Sequence, residues 1–500
     1  MNAIETALGL VFQPSVLVTI LIAALFGLVV GAIPGLTATM AIALLVPVTF
    51  FMDPVPAVGA MVTCSAMAIF AGDIPGTLLR IPGTPASAAY TDEAYAMTRN
   101  GEGEIALGAN LLFSALGGLF GTFVLIVAAP ALAEVALRFS SFEYFWLALL
   151  GLTCAVFVGT SSQVRGLLSL FLGLFVSTIG LDNPAGVPRF TFGNTELTGG
   201  VNFIAAMIGL FAVSEVFRFV IAPKGQAVPQ EVMGNLFRGW GRMATHYWRQ
   251  QLRGNVVGTA IGILPGSGAD IAAWVSYALS KKMSRTPDRF GKGHVEGIIE
   301  STSANNAALA GAWVPALVFG IPGDSITAIV IGVLYLKNMN PGPTIFMNNP
   351  EYIYAVFIIF ILANIVMVPL GWAAIKAARV ILLIPREILM PCILMFCIVG
   401  AFAINNSAFG VAVMLVFGVL GFLMEENDIP VAPCILGIVL GPMLEENFVT
   451  SMIKSDGSFV AFFERPISGA LGVATVLVWV VPLLRAFRRS PKARRVVPSS

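Results

Sequence analysis

One pattern of glycines and prolines occurs twice in this chain, each time inside strongly apolar sequence. It reads Gly27-x3-Gly31-x2-Pro34-Gly35 and returns as Gly258-x3-Gly262-x2-Pro265-Gly266, 231 residues on (258 minus 27). A second element follows each copy. Pro75 with Ile81-Pro82-Gly83 is matched by Pro315 with Ile321-Pro322-Gly323, 240 residues on (315 minus 75). Proline lacks a backbone donor and ends or kinks a helix, and the glycine beside it lets the chain leave helical geometry. In hydrocarbon the N–H and C=O groups so exposed are tolerated only where they face protein or a water-filled cavity. Interrupted apolar segments at matching positions of two halves point to the binding site of a secondary transporter.

Composition agrees with a membrane setting. Of 500 residues 57% are hydrophobic and 11% charged, against about 25% charged in a soluble domain. The polar surface needed to face water is missing. The sequence predicts an all-α polytopic membrane protein with about 10–12 transmembrane spans plus re-entrant or discontinuous helices. The start, Met1 to Pro14, has no Lys or Arg, and no signal peptide is expected, because the apolar run that follows through Gly31 is long enough to span. A net charge of +1 lacks the basic footprint of a nucleic-acid binder, so no nucleic acid is expected. Five scattered cysteines, and two histidines (His246 and His294) in polar connections, form no disulfide or metal spacing. No cofactor is expected beyond a coupling cation. Gly291-Lys292-Gly293 lacks the features of a P-loop, so energy must come from an ion gradient or a partner chain. No nucleophile–base constellation accompanies the acids in the apolar segments, and no enzyme is expected.

Apolar runs near 10–33, 105–130, 144–160, 165–181, 203–222, 352–384, 387–423 and 466–487 read as spans, the run at 387–423 divided near Asn405-Asn406-Ser407. The shorter, punctuated runs 38–51, 56–71, 254–279 and 304–336 read as re-entrant or discontinuous helices. The chain divides into a first repeat half, 1–221, a connecting segment, 222–253, a second half, 254–487, and a basic tail, 488–500. The nine-residue difference between the two spacings (240 minus 231) belongs to the polar stretch Lys281 to Lys292. The connecting segment carries Lys224, Arg238, Arg242, Arg249 and Arg253 against one carboxylate, Glu231, and the tail is equally basic. Both are expected in the cytoplasm. Before Arg80 the chain has no Lys or Arg. That opposition predicts two repeats of inverted topology.

Beside each break lie small, hydroxyl, amide and acidic residues. A helix beginning just after Pro-Gly aims its free N–H groups and positive dipole end at the break, which suits a carboxylate. On this basis Gly35, Thr37, Arg80, Gly83, Thr84, Gly266, Ser267, Asn305, Asn306, Gly323 and Ser325 are candidate substrate-binding residues. Ordinary helix capping by Thr37, Ser267 or Asp270 is the plainer alternative. Ionisable residues within membrane segments are costly, so Asp73, Asp270 and Asp324 are candidates for coupling to a cation, either Na⁺ or H⁺. Gly27/Gly31 and Gly258/Gly262 also fit close helix packing. A late echo, Leu423 to Asn427 and Met443 to Asn447, reads as acidic groups marking the two ends of one short span or re-entrant segment, Asp428 to Leu444.

The most specific stretches are Gly31-Ala32-Ile33-Pro34-Gly35-Leu36, Gly72-Asp73-Ile74-Pro75-Gly76-Thr77 through Pro85, and Ile263-Leu264-Pro265-Gly266-Ser267-Gly268-Ala269-Asp270. With them stand Glu300 to Ala307, Phe319-Gly320-Ile321-Pro322-Gly323-Asp324-Ser325 and Leu440-Gly441-Pro442-Met443-Leu444-Glu445-Glu446-Asn447. On these the chain resembles, over essentially its whole length, the large membrane subunit of the tripartite tricarboxylate transporters, the TctA family. The resemblance implies a multi-pass protein of the bacterial inner membrane. It implies two partners: a small four-span membrane subunit (TctB-like), and a periplasmic solute-binding protein (TctC-like) that delivers an organic carboxylate for cation-coupled uptake. A passive channel for small solutes is the alternative, since paired half-helices also build pores.

Overall fold

The computed structural model describes residues 3–157, 162–181, 186–221, 235–382 and 386–488. Lys224 and Glu231 of the connecting segment, and the basic tail from Arg489, lie outside the described residues. Within them the chain is helical, with no strand beyond one isolated bridge, Gly180 to Arg189. Among the described residues eight helices are long and apolar enough to cross a membrane: Pro14–Ala32, Pro54–Leu79, Gly103–Ala136, Phe203–Ile221, Pro350–Ala378, Glu387–Ile404, Ala408–Glu426 and Val431–Lys454. Five shorter apolar helices accompany them, among them Ala38–Thr49 and Ser325–Leu336. The apolar run at 387–423 divides as its polar residues imply, between Asn405 and Ala408, with Asn406 at φ 48°.

The doubled glycines are packing positions. Helix Pro14–Ala32 lies along Pro54–Ala71, and a Cβ on Gly27 would come 2.6 Å from the Cys64 carbonyl oxygen, while Gly31 abuts Ala68. In the second half Trp248–Ile263 lies along Val295–Phe319, with Gly258 against Ala304 and Gly262 against Ala308. Cys64 and Ala304, like Ala68 and Ala308, are 240 residues apart (304 minus 64), so both sides of the contact are duplicated. Glycine every fourth residue lets two backbones touch, which yields van der Waals contact where lipid offers no hydrophobic drive.

Each first break then repeats bond for bond. Ile33 and Leu264 turn out of the helix at ψ 117° and 119°. The N–H of Leu36 donates to Ile33 O at 3.1 Å, and that of Ser267 to Leu264 O at 3.2 Å. Gly35 and Gly266 take φ of 89° and 75°, a region costly for any residue with a Cβ. The second breaks match as well. Arg80 (φ 59°) and Gly320 (φ 67°) end their helices in left-handed conformation. Ile81 and Ile321 donate back to the carbonyls of Pro75 and Pro315 at 3.4 and 3.3 Å, closing the last turn. The prolines therefore sit inside the final turn, and the break comes five residues later (80 minus 75). The run at 304–336 is discontinuous, as the sequence implies, with two helices of unequal length, Val295–Phe319 and Ser325–Leu336, on either side of the break. Val295–Phe319 is continuous for 25 residues, through the polar stretch Glu300 to Asn306, before it breaks.

Contacts between helices fix the relative sense of the halves. Gly59 meets Ile359 and Gly371 meets Phe70, so Pro54–Ala71 runs parallel to Pro350–Leu382. Gly118 meets Asn364 and Gly371 also meets Leu111, so Pro350–Leu382 runs antiparallel to Gly103–Ala136. Gly117 meets Ser303 and Gly121 meets Ala307, so Gly103–Ala136 runs parallel to Val295–Phe319. Pro54–Ala71 and its repeat mate Val295–Phe319 therefore point in opposite directions, and the repeats are inverted. Each half's long helix packs on the other half's glycine-built pair.

The extra residues of the second copy fall near Lys281 to Lys292. Gly268–Met283 has 16 residues where Ala38–Thr49 has 12, and residues 284–294 form a loop with a short turn at Pro287–Arg289. Trp248 to Arg253, read as connector, form the start of Trp248–Ile263. The late acidic echo does not mark a short span. Val431–Lys454 has 24 residues and carries Glu445 and Glu446 inside it. Glu445 takes both ends of the Arg189 guanidinium at 2.9 and 2.8 Å, across 256 residues of sequence that local patterning cannot join.

Candidate functional site

The breaks of both halves converge on a cavity of about 440 Å³. Three helix starts wall it. Thr37 caps Ala38–Thr49 by accepting from the Met40 N–H at 3.2 Å. Asp324 caps Ser325–Leu336, accepting from the Thr327 N–H at 2.8 Å, while the Thr327 hydroxyl accepts from the Asp324 N–H at 2.9 Å. Gly268–Met283 begins alongside, with Asp270 in its first turn and Gly268 packed on the Asp324 side chain. Free N–H groups and dipole ends thus face one space.

The halves are stitched across this space by exchanged contacts. Asp270, at a helix start of the second half, accepts from the Ala86 N–H at 3.0 Å, just past the second break of the first half. Thr39, the matching position in the first half (270 minus 231), is hydrogen-bonded through its hydroxyl to Ser325 at 2.9 Å, just past the second break of the second half. Trp274 adds a bond from its indole N–H to Pro85 O at 3.1 Å. Thr39→Val should remove the Thr39–Ser325 tie and lower stability by about 1 kcal/mol. A reduced melting temperature in detergent checks this, and an unchanged one would show that the bond contributes nothing.

Of the residues singled out in the sequence, Gly35, Thr37, Gly83, Thr84, Asn305, Ser325, Asp270 and Asp324 line the cavity together. Arg80 does not. It lies at the surface with its side chain 63% exposed, paired to Asp92 at 2.8 Å. Gly266 and Gly323 stand behind the lining, packed on Ala155 and Ala312. Asp73 is buried off the cavity, where the Tyr90 hydroxyl donates to its Oδ1 at 2.6 Å while Oδ2 has no hydrogen-bond partner within the protein. Ser267 and Asn306 are buried too. The Ser267 hydroxyl and Asn306 Oδ1 have no partner, and Asn306 Nδ2 donates to Thr302 O at 3.3 Å. Asn305 is 1% exposed beside the Tyr90 hydroxyl, with neither amide atom in a well-formed hydrogen bond within the protein. A buried amide left in that condition is costly unless something else meets it.

Three charged lining residues were not among the candidates: Glu215, Arg218 and Glu425, the last read as marking the end of a span. The first two lie on Phe203–Ile221, read as a plain span. Within it Ile208–Val213 winds as a π-helix, a widening often found at functional sites, ahead of the turn that carries both residues. Arg218 pairs with Glu215 at 3.0 Å and with Glu425 at the end of Ala408–Glu426. The available signal was an ion pair at i,i+3 inside an apolar run. Among the described lining residues there are four carboxylates (Glu215, Asp270, Asp324 and Glu425) and one basic side chain, Arg218.

A family model described as "Tripartite tricarboxylate transporter TctA family" matches residues 17–436. An uncharacterised 52.8 kDa protein in the TAR-I ttuC' 3' region of Agrobacterium vitis is 34% identical over 491 residues, covering 97% of this chain and 96% of the relative. An uncharacterised protein in the TAR-II ttuC' 3' region of the same organism is 34% identical over 234 residues, 46% of this chain and 97% of the relative. No solved structure matches significantly.

Proposed function

The chain belongs to the tripartite tricarboxylate transporter TctA family, and from that premise we propose that it carries organic carboxylates inward by alternating access. In this reading it is the large transmembrane subunit in the bacterial inner membrane. It works with a small four-span TctB-like subunit and a periplasmic TctC-like binding protein that presents the carboxylate. The observation that carries the reading is that one cavity is walled by helix starts from both inverted halves. Each helix start offers unpaired N–H groups and roughly half a positive charge, so several together hold a multiply charged anion without added lysines.

The same cavity supports cation coupling. Its lining carboxylates outnumber Arg218, so a di- or tricarboxylate would meet net repulsion unless cations enter with it. Asp270 and Asp324 adjoin one another across Gly268, and with Asn305 they form an oxygen-rich wall for Na⁺ or for protons. Uptake of radiolabelled carboxylates into membrane vesicles containing the three components tests the reading. An imposed Na⁺ or proton gradient should drive accumulation above the external concentration. Equilibration without accumulation under either gradient would indicate a pore instead.

A further inference from the structure

We propose that Arg218 is the anchor for one substrate carboxylate, and that Glu425 occupies it when the site is empty. The inference rests on the carboxylate reading of the cavity and assigns a binding residue within it. Arg218 is the one basic side chain among the described lining residues, and it is brought there by a π-helical segment. Gly209 in that segment packs on the Met414 carbonyl and Gly418, which seats Phe203–Ile221 tightly against Ala408–Glu426. The register then brings the Arg218 guanidinium onto Glu425, across 207 residues of sequence, and onto Glu215 one turn before it.

A guanidinium has five donors in a planar fork suited to a carboxylate, and Arg218 lines the cavity with its side chain 40% exposed. Glu425 is a carboxylate presented by the protein itself, at the position a substrate carboxylate would take. Exchange of one for the other conserves charge and hydrogen-bond geometry, so it costs little at the guanidinium. Its consequence lies at Glu425. That residue ends Ala408–Glu426, just before the connection in which Asp428 takes φ 53° and Pro430 opens Val431–Lys454. Release of Glu425 removes the ionic tie between the end of this helical hairpin and Phe203–Ile221 while the glycine packing around Gly209 holds, so substrate binding loosens one end of the contact.

Three variants in the vesicle assay test the exchange, with wild-type uptake as the reference. Glu425→Gln removes the internal competitor, so the KM for carboxylate should fall about 3- to 10-fold. Arg218→Gln should raise it about 10- to 100-fold, the loss expected for a charge-assisted bidentate contact. The double variant Arg218→Gln, Glu425→Gln keeps a neutral tie between the helices, and its KM should stay as high as that of Arg218→Gln alone. If Arg218→Gln fails to reach the membrane, Arg218→Lys should reach it with an intermediate KM. A Glu425→Gln KM that does not fall, or a double variant that recovers wild-type uptake, would make the pair a structural tie and overturn the proposal. Absence of wild-type carboxylate uptake would instead overturn the reading it rests on.

Discussion

Gly83→Val and Gly323→Val should each reduce uptake by about 100-fold or more while the protein still reaches the membrane, since displacing binding groups by about 1 Å can cost that much. A Cβ on Gly83 would sit 2.6 Å from the Gly72 Cα and 2.8 Å from its carbonyl oxygen. On Gly323 it would sit 2.6 Å from the Ala312 Cβ and 2.7 Å from its Cα. These are backbone and short side-chain atoms that cannot swing aside, so the breaks themselves must move, carrying Thr84 and Asp324 with them. Gly266→Val should behave alike, because its φ of 75° adds strain to a clash with the Ala155 backbone at 2.7 Å. Gly241→Ala, with nothing within 4 Å of the added Cβ, is the control. Uptake normalised to membrane protein reads the effect, and near-normal transport in the Gly83 and Gly323 variants would limit the breaks to a packing role.

The second large effect is expected at the cavity carboxylates. Asp270→Asn with Asp324→Asn should leave helix starts formed, because asparagine caps about as well as aspartate. It should nevertheless remove the response of uptake to an imposed cation gradient, since two carboxylates facing the site would no longer attract or bind the cation. A charged residue at membrane depth costs about 2.5–3.5 kcal/mol on insertion scales, and the double variant should therefore express at least as well as the wild type. Rates measured with and without Na⁺ or proton gradients give the answer. A gradient response equal to wild type would take both residues off the cation path and leave Glu215 and Glu425 in the lining, and Asp73 with its unpartnered Oδ2, as the candidates.

What the sequence made legible is local chemistry, repeated. A Pro-Gly break is encoded within a few residues, and its recurrence at a constant spacing needs no knowledge of what packs against it. The breaks and the two halves followed from that, the inverted sense from the lack of Lys and Arg before Arg80, and the division of the run at 387–423 from its polar residues around Asn406. What escaped depends on contacts distant in sequence. Arg218 meets Glu425 across 207 residues and Arg189 meets Glu445 across 256, so neither acidic pair could be told from a helix boundary. Arg80 was singled out as an early cation, yet the side of the break on which it points is set by the left-handed turn that ends its helix. The prolines at 75 and 315 mark the last helical turn and not the break, because their carbonyls accept the bonds that close it.

The central claim is that the carboxylate occupies the cavity between the inverted halves. It is tested most directly by Thr37→Cys in a Cys392→Ser background, since Cys392 is exposed and the other four native cysteines are buried. Labelling of the new thiol by a small, membrane-impermeant reagent is followed in vesicles that retain uptake, with and without saturating carboxylate. The account predicts that carboxylate slows labelling at Thr37→Cys and leaves unchanged the labelling of a Cys introduced at Gly241. Equal labelling rates at Thr37→Cys with and without carboxylate, in vesicles that still transport it, would contradict the account.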